Sequence, residues 1–177
     1  DVDYGLAEVR SACCYTNDPV LIEDFTTEGK DAHGDTAEMI FQVSKKDFKS
    51  EEAKAVWKKG MRDWAKNRMV FPQFFGSTYH NCGPHIWDAV EKGAMMPNGD
   101  MTVRQHLLNQ GITELGNPED AKTREGTFLH RVKQVEQSFW DRFQVFAKWK
   151  RHWYAAYLRD GYCKSLSGFV YSGLVGK

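Results

Sequence analysis

The chain has 177 residues, and its 24 Lys or Arg and 24 Asp or Glu side chains give a formal net charge of zero. An apolar fraction of 41% excludes an intrinsically disordered chain, and no apolar run approaches the roughly 20 residues of a membrane span. No basic segment followed by an apolar stretch marks a secretory signal, so we expect a cytoplasmic protein without a membrane partner. Because residue 1 is Asp rather than Met, we expect the gene product to begin upstream.

The charges are unevenly distributed along the chain. Residues 1–43 hold ten acidic and two basic side chains, whereas residues 44–68 and residues 130–159 each carry a net charge of +5. Blocks of opposite sign can place an acidic pocket beside basic surfaces, although solvated helix faces produce the same pattern. The neutral total therefore does not exclude a nucleic-acid-binding protein.

The cysteine and histidine residues indicate neither a disulfide framework nor a clear metal site. The four cysteines include no CxxC pair, which favours reduced thiols. His80, Cys82 and His85 are potential zinc ligands within the run YHNCGPHIW, but the fourth ligand that structural zinc sites use is not apparent. A zinc site is therefore the less favoured interpretation of this segment.

The first elements along the chain are a strand and two short helices. Apolar alternation over residues 2–6 predicts a strand. A helix is predicted to begin at Pro19, with Asp18 as its N-cap and Gly29 closing its C-terminus. A second helix is predicted over residues 31–41.

A longer helix is predicted next, and it runs into a proline. Ser50 is its expected N-cap, and its sequence begins EEAKAVWKKGMRDWAK. Pro72 cannot donate to the carbonyl of Arg68, which favours a kink or a π-bulge at this point.

The region after Pro72 is predicted to contain loops before helix resumes. Residues 76–100 are rich in Gly, Pro and Asn, which predicts loops around a short helix near residues 85–92. A further helix is predicted between a cap at Asp100 and Gly111. We expect no regular strand in this region.

The last third is predicted to be one long helical stretch followed by a hairpin. The helix is expected to start in the run GNPED at residues 116–120 and to reach about Arg159, with a break near Gly126. The run GYCKSLSGFVY then predicts a β-hairpin with Gly168 at its turn. The predicted fold class is therefore mainly α, with short strands at the two ends.

Three segments, in order, resemble family A (Pol I-like) DNA polymerases. The runs DYGLAEVR, LIEDF and EGKDAH, within residues 3–33, resemble the motif A region, whose usual pattern is DYSQIELR, LIxAF and EGKDIH. Arg62 and Lys66, followed by the run VFPQFFG, resemble motif B on the fingers helix, with the spelling closest to phage-encoded members. The hairpin resembles the family's GY…T..GR segment more loosely, since Phe169 replaces the usual Arg.

The resemblance implies a fold that is the palm edge plus the fingers of such a polymerase. Residues 1–43 would form the palm segment with motif A and the first fingers helices. Residues 44–130 would form the fingers with the motif B helix and inserted loops. Residues 131–177 would form a long helix returning to the palm and the terminal hairpin.

The resemblance also implies a two-metal site at motif A. Asp3 would be a catalytic residue and a Mg²⁺ ligand, helped by the backbone carbonyl of Val2 or Tyr4. Mg²⁺ in proteins is held by one or two carboxylates plus substrate phosphates, so Asp3 alone leaves the site half built. The second carboxylate would come from motif C, a His-Asp-Glu hairpin that does not occur in this sequence.

Two further motif A residues would act on the sugar and the primer. By resemblance, Glu8 would pack under the sugar ring, exclude a 2′-hydroxyl and so select deoxynucleotides. Arg10 would position the primer or brace Glu8.

The motif B residues would bind the incoming nucleotide. Arg62 and Lys66 lie four residues apart and share one helix face, where two cations can neutralise a triphosphate, and Lys66 would assist the departing pyrophosphate. His33 would donate to the same phosphates. Phe71 is the preferred platform for the incoming base. The alternative reading of these residues, taken singly, is a solvated basic stripe with core aromatics.

The spacing in motif B is one residue longer than the family pattern. A single π-bulge at Pro72 would compensate for the extra residue and bring Phe71 and Phe75 onto the face of Arg62 and Lys66. Phe75 would then be the template-side gate. Phe74 is the alternative to Phe75 in that role.

The function implied is DNA-directed DNA polymerisation by a fragment or split subunit. It would add deoxynucleotides to a primer 3′-hydroxyl, with primer–template DNA and dNTP as partners. Two Mg²⁺ ions would be required, and another polypeptide would supply motif C, a thumb and optionally an exonuclease domain. The expected location is the cytoplasm, which is the bacterial host's if the chain is phage-encoded. The alternative is a non-catalytic DNA- or nucleotide-binding module that keeps the fingers fold.

Overall fold

The computed structural model describes residues 7–120, 122–165 and 167–173, and it is mainly helical with one short hairpin. The strand predicted over residues 2–6 lies outside this part of the chain. The helices are α1 Ala7–Thr16, α2 Pro19–Thr26, α3 Ala32–Phe41, α4 Glu51–Lys59, α5 Met61–Ala65, α6 Phe71–Phe74, α7 Tyr79–Glu91, α8 Val103–Asn109, α9 Phe128–Arg142 and α10 Gln144–Asp160. A 3₁₀ turn spans Lys45–Asp47, a π turn spans Lys66–Val70, and the strands are β1 Tyr162–Lys164 and β2 Val170–Ser172.

Asp18 caps two helices with one buried carboxylate. Its Oδ1 accepts hydrogen bonds from the backbone N–H groups of Val20 (3.0 Å) and Leu21 (3.1 Å), which confirms the predicted cap of α2. Its Oδ2 accepts from the N–H of Phe146 (3.0 Å) in the first turn of α10. Residues far apart in sequence are therefore joined by a side chain that is only 1% exposed.

The predicted long helix after Ser50 is divided by Gly60. Ser50 caps α4 as predicted, since its hydroxyl accepts from the N–H of Ala53. Gly60 then leaves the helical region, with φ −102° and ψ −105°, so α4 and α5 are separate helices. The prediction of one continuous helix is wrong here, because a residue without a Cβ reaches backbone angles that disfavour continuation.

The predicted π-bulge before Pro72 is confirmed. The N–H of Phe71 donates to the carbonyl of Lys66, five residues back, and the π turn leads directly into α6. Pro72 then occupies an early position of α6, where a missing N–H is tolerated.

Helix α7 begins well before the position predicted from the glycines and prolines. It starts at Tyr79 rather than near residue 85 and carries Pro84 in its interior. A Cβ built on Gly83 would lie 2.5 Å from Leu129 Cδ2, so this glycine allows α7 to approach α9 closely. The prediction of a loop is wrong for residues 79–84, because Gly83 serves helix packing and not a turn, whereas residues 92–100 after α7 are irregular as predicted.

The boundaries of α8, α9 and α10 also differ from the prediction. Thr102, not Asp100, caps α8 through the N–H of Gln105, and Thr127 caps α9. The long helix therefore starts at Phe128, and it breaks at Phe143 instead of near Gly126.

The glycines around the loop that precedes α9 explain this late start. Gly116 and Gly126 have φ of 87° and 76°, and the carbonyl of Gly126 accepts from the N–H of Thr113. Left-handed backbone at these positions favours a loop, and the described residues 113–120 and 122–127 contain no helix.

Two hydrophobic cores meet at the π turn. The larger core contains Phe41, Phe128 and Met69, and the smaller one contains Phe139 and Val70 among its buried residues. Met69 and Val70 are adjacent and fully buried, and each belongs to a different core. The conformation of the π turn is therefore fixed from both sides.

The terminal hairpin is confirmed. Strands β1 and β2 are antiparallel, with Cys163 opposite Tyr171, and Gly168 adopts a φ of 87° in the connection. None of the helices in the described ranges combines the length and apolar character required to cross a bilayer.

Candidate functional site

The C-terminal end of α2, the start of α3 and the junction of α5 with the π turn surround one recess of about 220 Å³. Three residues to which the family resemblance assigns nucleotide binding line this recess together, namely His33, Arg62 and Lys66. The other lining residues are Asp24, Phe25, Lys30, Asp31 and Ala32. The arrangement thus combines cations, carboxylates and aromatic rings in a small open volume.

His33 is a neutral polar group held between two aromatic rings. Its side chain is only 5% exposed, and its ring centroid lies 5.5 Å from that of Phe25 and 5.5 Å from that of Phe71. Neither ring nitrogen has a hydrogen-bond partner within the described residues. Burial and, secondarily, the Arg62 charge lower the pKa of His33 to about 4. At neutral pH the ring can therefore donate one hydrogen bond and accept another.

The depressed pKa of His33 predicts a loss of stability in mild acid. The unfolded chain takes up this proton near the ordinary pKa of 6.5, whereas the folded chain resists it down to about 4. Unfolding is therefore favoured as the pH falls through that window, by about 2.5 kcal/mol between pH 7.5 and 4.5. Urea denaturation at both pH values should show this loss of stability in the wild type and in His152→Gln, a control at an exposed histidine. The loss should be much smaller in His33→Phe. Equal losses in all three proteins would contradict the prediction.

Arg62 is held side-on by Asp31. Its Nε donates to both carboxylate oxygens of Asp31, at 3.0 and 2.9 Å, and its Nη2 lies 2.8 Å from Oδ1. Asp31 also caps α3 by accepting from the N–H of Gly34 at 3.1 Å. Burial raises the pKa of Asp31, but the bonds from Arg62 and the Gly34 N–H outweigh it and leave the pKa below its ordinary value.

Lys66 is the cation that remains available to an anion. It makes no ion pair within the described part of the chain, and its Nζ lies 5.2 Å from the centroid of the Phe71 ring. The π turn produces this contact, because the extra residue brings Phe71 round to the side of Lys66 and His33. Among the described residues that line the recess, Lys66 is therefore the one ammonium without an ion pair, and it lies beside a half-buried aromatic ring.

The two candidates for the template-side gate occupy different environments. Phe74 packs into the smaller core, stacked on Phe146 with ring centroids 5.3 Å apart. Phe75 follows α6 and is 73% exposed, and it lines a separate recess of about 340 Å³ together with Phe74, Tyr15 and Trp149. Phe75 is thus the accessible ring of the pair, but it does not line the recess that contains Arg62 and Lys66.

Asp24 is a buried carboxylate that the sequence reasoning missed. It is 6% exposed, and it accepts bonds from Arg142 Nε, from Arg142 Nη2 (2.6 Å) and from Lys30 Nζ (3.3 Å). Burial raises the pKa of Asp24, but these two cations outweigh burial and lower it. The available signal was an acid in the run LIEDF, where the family pattern has Ala. Such an acid requires a partner charge.

A buried polar network fixes the orientation of α6. The fully buried Gln73 accepts from Trp140 Nε1 (3.0 Å) and donates to Glu136 (3.0 Å), while Lys150 Nζ donates to the Gln73 carbonyl (3.2 Å). Burial raises the pKa of Glu136 and lowers that of Lys150. Nothing in the sequence spacing pairs these residues, which come from three helices.

Several predicted site residues fall outside the description or outside the recess. Val2, Asp3 and Tyr4 lie outside the described residues. Glu8 lies in α1, but its side chain is not part of the description, and Arg10 is exposed on the same helix. Their predicted roles in metal, sugar and primer binding remain predictions.

The three potential zinc ligands of α7 do not converge. His80 Nδ1 contacts the Pro118 carbonyl at 2.7 Å, Cys82 is buried against Gln73, and His85 is exposed. Across the described residues, no cluster of three or more His, Cys, Asp or Glu side chains is arranged to hold a metal ion.

The charged groups around the recess are of the kind that an anion would require. Lys66 supplies a positive charge without an ion pair in the described residues, and His33 has a buried ring N–H without a partner there. Lys30 and Arg62 also carry positive charge, but they are paired with Asp24 and Asp31. Comparison of the chain with protein-family models, with curated proteins and with solved structures gives no match. Support for a function therefore comes from the motifs and from the geometry of this recess.

Proposed function

We propose that this chain is the motif A and fingers portion of a family A DNA polymerase, and that the recess receives the triphosphate of an incoming deoxynucleotide. The observation that carries the proposal is the meeting of His33, Arg62 and Lys66 at one recess. These residues come from two separate motif segments, and the resemblance assigns all three to the triphosphate.

The groups around the recess suit a polyphosphate. Lys66 offers a full positive charge without a competing carboxylate among the described residues, and fixed cations stabilise the charge that develops on a departing pyrophosphate. His33 is neutral at pH 7 and has a buried ring N–H without a partner in the described residues, which could donate to a phosphate oxygen if the ring turned towards the recess. The Phe71 ring lies next to both side chains and supplies an apolar surface for the base.

The proposed Mg²⁺ ions belong to residues outside the recess. Asp24 and Asp31 are engaged by Arg142 and Arg62, so neither carboxylate is free to bind a metal. Asp3, with a backbone carbonyl of Val2 or Tyr4, remains the predicted ligand set in this chain. When bound, two metal ions activate the primer 3′-hydroxyl and neutralise phosphate charge.

Polymerisation should require a second polypeptide and Asp3. We expect the chain, mixed with a polypeptide that carries the His-Asp-Glu hairpin of motif C, to extend a primer on a template in a Mg²⁺-dependent manner. Asp3→Asn should abolish extension, because the remaining amide is a poor Mg²⁺ ligand. Gel analysis of a labelled primer measures this directly.

Two outcomes would count against the proposal. Extension that survives Asp3→Asn would overturn the metal assignment. Nucleotide binding without extension in any such mixture would favour the non-catalytic binding module instead.

A further inference from the structure

Two of the three guanidinium nitrogens of Arg62 bond to the Asp31 carboxylate. Nε and Nη2 both bond to Asp31, which leaves Nη1 without a partner in the described residues. The arginine and aspartate side chains are 26% and 27% exposed, so the ion pair is only partly screened by solvent. A bidentate pair of this kind fixes the plane of the guanidinium.

Asp31 is itself fixed in place by the start of α3. Its Oδ1 accepts from the Gly34 N–H, and a Cβ built on Gly34 would lie 2.4 Å from Asp31 Oδ2. The glycine therefore makes room for the carboxylate at this position. The side chain cannot shift far without losing its helix cap.

We propose that Asp31 competes with the bound triphosphate for Arg62 and so weakens nucleotide affinity. This inference rests on the proposed function, since it concerns the same recess. Asp31 is a positioning residue here: it acts on the ligand through Arg62.

The competition follows from the charges that face the recess. The Asp31 carboxylate already lies within hydrogen-bonding distance of Nε and Nη2 of Arg62. An anion that approaches the same edge of the guanidinium is therefore repelled by this carboxylate. Repulsion between two anions in a partly buried site is weakly screened. The released carboxylate has an alternative partner, because Lys45 lies within electrostatic reach of Asp31 and pairs with Asp35 one turn along α3.

Asp31→Asn separates the charge of this side chain from its role as a cap. The amide oxygen of Asn can still accept from the Gly34 N–H, since Asn is as good an N-cap as Asp. Titration of the purified chain with dATP, and separately with inorganic tripolyphosphate, should show about three- to tenfold tighter binding in the variant than in the wild type. The melting temperature should fall slightly, because the ion pair to Arg62 is lost.

Asp35→Asn is the matched control. Asp35 lies on the same helix, carries the same charge and pairs with Lys45 at 2.8 Å, but it does not line the recess. We expect its affinity to stay within about twofold of the wild type, because its charge is exposed and screened. In an Arg62→Gln background, the gain from Asp31→Asn should largely disappear.

The outcomes separate this inference from the proposed function. Wild-type protein that binds neither dATP nor tripolyphosphate would remove the proposed function and this inference with it. Wild-type protein that binds, while Asp31→Asn binds equally or more weakly, would overturn the inference alone. An equal gain in Asp35→Asn, or a gain that persists fully without Arg62, would also overturn it, because the effect would then be one of net charge.

Discussion

Asp18→Ala is expected to lower the free energy of unfolding by about 3 kcal/mol, because three backbone N–H groups lose their acceptor together. Two of these belong to Val20 and Leu21 at the start of α2, and the third belongs to Phe146 in α10. The carboxylate is almost completely buried, so water cannot readily replace it in the folded state. Urea denaturation measures the loss.

Two variants make this prediction specific. Asp18→Asn keeps one oxygen, which can accept either from the N–H groups at the start of α2 or from the Phe146 N–H, while its NH₂ group faces the other site. We expect it to lose about half as much stability as Asp18→Ala. Ser50→Ala removes an ordinary cap, the single bond to Ala53, and should cost about 1 kcal/mol. Equal losses from Ser50→Ala and Asp18→Ala would show that the hydrogen bond from the Phe146 N–H in α10 contributes nothing to stability.

Lys66→Ala is expected to weaken dATP binding by about 30-fold, equivalent to roughly 2 kcal/mol for a charge-assisted hydrogen bond. Lys66 lines the recess with no carboxylate partner in the described residues, so its whole charge is available to the triphosphate. Calorimetric titration of the purified chain with dATP tests the change.

The control for this variant is Lys58→Ala, which removes an exposed cation from α4 outside the recess. We expect Lys58→Ala to bind dATP like the wild type. Lys66→Ala should also keep its melting temperature within a few degrees, because it loses only the contact with the Phe71 ring. Equal weakening in both variants would mean that dATP affinity depends on the net charge of the protein and not on the recess.

Local signals in the sequence predicted the starts of α2 and α4 and the π-bulge. Asp18 and Ser50 are caps in the structure as predicted, because N-capping depends on a side chain and the N–H groups two or three residues later. The π turn was predictable because Pro72 cannot donate and because motif B carries one extra residue.

The contacts that the sequence could not predict join residues that lie far apart in the chain. The ion pair of Asp31 with Arg62 joins α3 to α5, and the bond of Asp18 to the Phe146 N–H joins α2 to α10. The sequence spacing of these residues does not indicate which residue each of them contacts. Gly83 misled the prediction of α7 for the same reason, since its small size serves a contact with Leu129 that only the fold reveals.

The most direct test of a triphosphate site in this recess is the response of the His33 ring to nucleotide. His33 is one of six histidines, and its two ring nitrogens have no partner in the described residues. With ring-labelled histidine, we expect NMR titration with dATP to shift the His33 resonances, and deoxyadenosine to leave them nearly unchanged. His33 resonances that stay fixed at saturating dATP, or that move equally with deoxyadenosine, would contradict a triphosphate site in this recess.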